Sequence, residues 1–169
     1  MSITADYHLH SHHSGDSEAP MADMADAALA RGLTEICFTE HEDLDFPDSA
    51  DGPGSIFLLD AATYRSEWET LHPQYAGRLD IRFGVELGLQ PHLVEQNRSF
   101  LTAQPYDFVI GSVHIADRRD PYYPDFYEGR TLQEAYRAYF EDVLENIRLM
   151  PEIDVLGHMD YPVRYAPGG

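Results

Sequence analysis

The chain has 169 residues and a formal net charge of −19, with 43% hydrophobic and 12% aromatic residues. That length and composition describe one globular domain with room for a core, not a disordered segment, and the domain is expected to run from 1 to 169. So negative a surface repels a phosphate backbone, which argues against nucleic acid as a partner. No apolar run reaches membrane-spanning length, so no membrane partner is expected and the protein is placed in the cytoplasm. All eleven basic residues are arginine, which excludes a Schiff-base lysine, a lysine-dependent phosphate loop and a carbamylated-lysine metal bridge. The single cysteine, Cys37, lies in an apolar run and is expected to be an inert core residue.

The first expected strand spans Ile3 to His8. On extended backbone alternate residues share a face, so His8 and His10 project together with Asp6 behind them, a ready pair of metal ligands with a carboxylate to orient them. A turn at Ser14–Ser17 precedes a helix that starts at Pro20, carries Met21, Met24, Ala25, Ala28 and Leu29 as a stripe, and stops at Gly32. Leu33 to Thr39 is a buried strand ending at Glu40-His41, and residues 42–54 form an acidic, solvated loop. Asp60 caps a second helix with Tyr64, Trp68, Leu71 and Tyr75 on one face, and a strand from Leu79 to Val85 ends at Glu86.

A third helix covers Pro91 to about Ala103. The strand Phe108–Val113 ends at His114, and a loop over 117–130 holds Arg118, Arg119, Tyr122, Tyr123, Phe126 and Tyr127. Those tyrosines are read as ordinary packing or, by preference, as a lid able to stack on a flat substrate group. Thr131-Leu132-Gln133-Glu134 is a capping box for a helix with Leu132, Ala135, Tyr136, Tyr139, Phe140, Val143, Leu144 and Ile147 on one face. The fifth strand, Ile153–Leu156, ends at Gly157-His158. Repeated β-α alternation calls for a parallel sheet with helical crossovers, an α/β fold.

Five successive strands thus deliver a histidine or glutamate to the edge where β/α barrels keep their active sites. Imidazoles with a carboxylate suit borderline divalent ions such as zinc, manganese or iron, and Glu86 is the natural bridging ligand. His12 and His13 are read as exposed turn residues, and His72 and His92 as solvent-facing.

Asp6-Tyr7-His8-Leu9-His10-Ser11, Thr39-Glu40-His41, Gly84-Val85-Glu86, Gly111-Ser112-Val113-His114 and Gly157-His158-Met159-Asp160 together resemble the polymerase-and-histidinol-phosphatase (PHP) family, its histidinol-phosphatase branch most of all. The resemblance runs the length of the chain. It implies a distorted (β/α)7 barrel, here about the first five β/α units, with up to three divalent ions. It implies hydrolysis of a small-molecule phosphate ester, L-histidinol phosphate, in histidine biosynthesis. Carried over, His8, His10 and Glu86 hold one ion, Glu86, His114 and His158 a second, and Asp16 and His41 a third. Arg164 falls where the branch has a basic residue that grips the phosphate, with Arg118 and Arg119 as weaker candidates. Family members also carry a later strand with Asp-x-His that completes two of the ion sites. Nothing in the 169 residues matches it, and the expectation is a chain truncated at its C-terminus. Three other readings stay open: a related phosphoesterase or nuclease, a metal-dependent amidohydrolase, and a non-catalytic metal- or partner-binding domain.

Overall fold

The computed structural model describes residues 3–49 and 52–167. Five parallel strands pair in sequential order, β1 (Ala5–Leu9), β2 (Glu35–Glu42), β3 (Asp80–Gly88), β4 (Phe108–Ser112) and β5 (Val155–Leu156), as a curled half-barrel. Strands of a parallel sheet are covered on both faces. Accordingly β2 is buried from Ile36 to Glu42, and β3 from Phe83 to Gly88. Both strands run past the expected ends at Thr39 and Val85, because backbone pairing continues through His41–Glu86 and Glu42–Leu87.

The crossovers are α1 (Met21–Ala30), α2 (Ala61–Leu71), α3 (Val94–Ala103) and α4 (Leu132–Leu149), and a short α5 (Tyr161–Tyr165) follows β5. Pro20 sits one residue before α1 as its cap, and Gly32 leaves the helix at φ +79, a conformation glycine adopts without strain. Asp60 accepts the Thr63 N–H at the start of α2, and the Thr131/Glu134 capping box is formed in full at the start of α4. One core cluster packs α1 and α2 on the sheet through Met21, Ala25, Phe38, Tyr64, Leu71 and Phe83. A second lies between the sheet and α4 through Leu87, Val109, Val113, Phe126, Tyr139 and Val143.

Two expectations need correction. The apolar face of α4 is only partly used: Ala135, Tyr139 and Val143 are buried, while Leu132, Phe140, Leu144 and Ile147 are exposed. Phe140, Leu144 and Ile147 are turned beyond the arc that the sheet covers, while Leu132 shares the face of Tyr139 but sits at the exposed first position of the helix. Likewise residues 42–54 are not uniformly solvated. Glu42 and Asp43 are buried, Glu42 accepting the Leu59 N–H and Asp43 turning inward at the end of β2. Cys37 is buried as expected, and burial pushes its thiol pKa far up, so it stays protonated.

Candidate metal centre

At the C-terminal edge of the sheet one carboxylate gathers most of the histidines. Glu86 has no exposed surface, and each of its oxygens takes its own partners. Oε2 lies 3.0 Å from His8 Nε2, 3.2 Å from His10 Nε2 and 3.6 Å from His41 Nδ1. Oε1 lies 2.9 Å from His158 Nε2 and 3.4 Å from His114 Nε2, and accepts the Ser112 hydroxyl at 2.6 Å. Asp16 stands at the rim, its Oδ2 3.5 Å from His41 Nε2. The expected ligands His8, His10, Asp16, His41, Glu86, His114 and His158 are therefore all brought together. Asp6 is not used as expected: it accepts the backbone N–H of His8 at 3.2 Å instead of orienting a ring.

Asp43 was missed as a site residue. Its carboxylate spans two rings, Oδ2 at 3.0 Å from His41 Nδ1 and Oδ1 at 2.8 Å from His114 Nδ1, which turns Nε2 of His114 towards Glu86 and Nε2 of His41 towards Asp16. Gly88 makes this possible, because a Cβ there would overlap the Asp43 carboxylate. The signal was the His41-x-Asp43 spacing, the same alternation that pairs His8 with His10. Glu40 is a second omission. Wholly buried, it accepts Ser11 N–H at 2.9 Å, Ser11 O–H at 2.6 Å and Ser14 O–H at 2.6 Å, and so pins the loop after β1.

The electrostatics follow from one crowded set of charges. Burial opposes ionisation of Glu86, yet His10, His114, His158 and His8 hold its pKa well below the usual carboxylate range. Asp43 is drawn down to about 2 despite full burial, by His114 and His41. Burial disfavours a charged His41, but Asp16 and Asp43 raise its pKa to about 9; His114 is likewise held well above the ordinary range by Asp43 and Glu86. His158 adopts φ +46, a strained conformation for a residue with a side chain, and its carbonyl accepts the Tyr139 hydroxyl at 2.9 Å.

A cavity of about 440 Å³ opens beside this cluster, with His41, His114, His158 and Arg164 in its wall together with Tyr122, Tyr123, Tyr161 and Tyr165. Arg164, on α5, forms a two-pronged pair with Asp160 at 3.0 and 2.9 Å. Arg118 and Arg119 do not line the cavity; Arg119 donates to the Asp125 carbonyl at 2.8 Å. Of the aromatic loop, Tyr122 and Tyr123 reach the cavity, whereas Phe126 and Tyr127 are core residues. Asp120, also unforeseen, is buried in the cavity wall, accepts the Tyr161 hydroxyl at 3.0 Å, and is pushed up in pKa by burial. His72 stacks on Trp68 with centroids 4.1 Å apart, and His92 pairs with Asp45 at the surface.

Residues 6–167 match the PHP domain. The chain belongs to the PHP family. Its PHP fold superposes on the crystal structure of histidinol phosphate phosphatase from Lactococcus lactis, complexed with zinc, L-histidinol and phosphate, with a TM-score of 0.88 at 35% identity, covering 96% of this chain and 60% of that one. In sequence, the Lactococcus lactis histidinol-phosphatase is 36% identical over 163 residues, 96% of this chain and 58% of the relative. A Clostridium acetobutylicum relative, named "Probable histidinol-phosphatase", is 32% identical over 95% of this chain and 59% of its own length. The PHP chain described here thus spans about three fifths of the curated relatives it matches. Among the described residues no helix is long and apolar enough to cross a membrane.

Proposed function

We propose that this PHP chain carries most of the metal centre of a phosphomonoester hydrolase that converts L-histidinol phosphate to L-histidinol and phosphate in the cytoplasm, as a step of histidine biosynthesis. The observation that carries the reading is the division of Glu86, one oxygen towards His8 and His10 and the other towards His114 and His158. A buried carboxylate shared in this way suits two cations, one on each side. The Lactococcus lactis relative binds zinc together with the two molecules that hydrolysis of this ester releases.

The donor set fits borderline divalent ions, zinc, manganese or iron, because imidazole nitrogens and carboxylate oxygens converge with no thiolate among them. In this reading His8, His10 and Glu86 hold one ion, Glu86, His114 and His158 a second, and Asp16 and His41 a third. When bound, such ions supply Lewis acidity and lower the pKa of water. The protein's own contribution is charge and orientation. Glu86 provides the buried negative charge at the middle of the cluster, and Asp43 fixes the rings of His41 and His114 through their Nδ1 atoms. Arg164 exchanges its hold on Asp160 for the substrate phosphate, where a guanidinium can bind two oxygens and steady the charge of the transition state. Arg118 and Arg119 are assigned no part in this, since neither lines the cavity. The tyrosine walls offer flat apolar surface to an imidazole ring.

The test is phosphate release by the full-length, zinc-loaded protein from L-histidinol phosphate, against a nucleoside monophosphate and a simple amide. Preferential turnover of L-histidinol phosphate is expected. Preferential turnover of the nucleotide or the amide, or no turnover of any of them, overturns the assignment.

A further inference from the structure

A second group of potential ligands lies outside the Glu86 cluster and shares no side chain with it. His12 and His13 follow β1 in a tight turn closed by the Ser14 N–H on the Ser11 carbonyl at 2.9 Å. On a strand, consecutive side chains would point to opposite faces. The turn instead swings both rings to one side, with centroids 4.4 Å apart, and both reach Glu67 on α2. His12 Nε2 lies 3.2 Å from Glu67 Oε2, and His13 Nε2 lies 2.9 Å from the same oxygen. His12 is exposed as expected, and the expectation is corrected for His13 alone. The His12 side chain is 40% exposed, but that of His13 is only 6% exposed, its ring packed against Tyr64.

We propose that His12, His13 and Glu67 form a further metal site that takes one borderline divalent ion such as zinc and clips the loop after β1 to α2. The donors are two imidazoles and one carboxylate, and all three ligand atoms lie within 4.8 Å of one another. Ligand atoms held at about 2.0–2.1 Å around a tetrahedral zinc are about 3.3 Å apart, close to the 3.2 and 2.9 Å that separate the two rings from Glu67. The exposure of His12 and Glu67, 40% and 34%, leaves the fourth position open to water. The loop is also preorganised: Glu40 anchors Ser11 and Ser14 on either side of the two histidines, so little freedom is lost when they converge on an ion.

The experiment is zinc content per chain, measured by mass spectrometry on full-length protein equilibrated with buffered free zinc, for the wild type, His12→Ala, Glu67→Ala and Glu86→Gln. Wild type is expected to hold one zinc more than His12→Ala and Glu67→Ala, both of which keep phosphatase turnover. Added zinc is also expected to raise the melting temperature of wild type beyond that of these variants. Glu86→Gln is expected to lose central zinc while keeping the extra ion, so the result is independent of which ester the enzyme hydrolyses. Equal zinc content in wild type and His12→Ala overturns the proposal, as does loss of the central ions in the same variant. Should Glu67→Ala fail to fold, His12→Ala, altered at an exposed ring, carries the test.

Discussion

Glu86 and Glu67 each draw histidines to a carboxylate, but they sit in opposite surroundings. Glu86 is sealed within the central strand of the sheet and meets five imidazoles and a hydroxyl, whereas Glu67 lies a third exposed on a helix and meets two imidazoles. A charge cut off from water has to be answered by protein groups or ions at all times, since leaving it unpaired costs several kcal/mol. Glu67 can fall back on solvent. The buried cluster is therefore obligatory to the fold of this edge, and the exposed one can fill or empty without disturbing it.

The largest expected contrast is between removing the two carboxylates. Glu86→Gln should lower turnover by orders of magnitude and deplete the central ions, while Glu67→Ala should leave turnover close to that of wild type, since Glu67 pairs with His12 and His13 and with none of the central ligands. Steady-state kinetics with metal analysis measures both, and similar losses in the two variants would erase the distinction. Next comes Asp43→Asn, which leaves every direct ligand in place but weakens the hold on His41 and His114; a loss of about 10- to 100-fold in metal affinity or activity is expected. Arg164→Ala should act on the substrate alone. It should lower kcat/KM about tenfold or more, as expected for a lost hydrogen bond to a charged group, with zinc content unchanged.

The smallest effect concerns pH. In the metal-free protein His41 has a pKa raised to about 9, so its stabilising contribution is complete below its unfolded value of about 6.5 and is lost as pH rises through about 9. Asp43, lowered to about 2, contributes fully above its unfolded value and loses that contribution as pH falls through about 2. Zinc-loaded protein should behave in the reverse sense towards acid, because ligands must be deprotonated to bind. Melting temperatures of both forms between pH 5 and 9 should therefore diverge, the zinc-dependent increment growing with pH. A constant increment would mean that His41 is neutral before the ion arrives.

Much of the centre could be read from local pattern. Strand ends punctuated by His8, His41, Glu86, His114 and His158 are visible because β/α periodicity places each of them at the same edge. Asp43 was harder to see, since the acidic residues and prolines around it have the composition of a solvated loop. Its burial depends on the space left by Gly88 on the neighbouring strand, a contact 45 residues away in sequence. The same holds for α4, where apolar spacing indicates a helix but not how wide an arc its neighbours cover.

By itself the sequence determined the order of strands and helices, the caps at Asp60 and Thr131, the parallel sheet and the histidines and glutamate at the strand ends. Those features arise from spacing and capping within a few residues, where backbone geometry alone decides which side chains share a face. Only the tertiary structure decided that the two oxygens of Glu86 divide their histidines, that Asp43 spans two rings, that Arg164 is held by Asp160, and that His12 and His13 turn together onto Glu67. Each of these brings together groups from separate turns or elements, and which atoms meet depends on packing in three dimensions rather than on any local period.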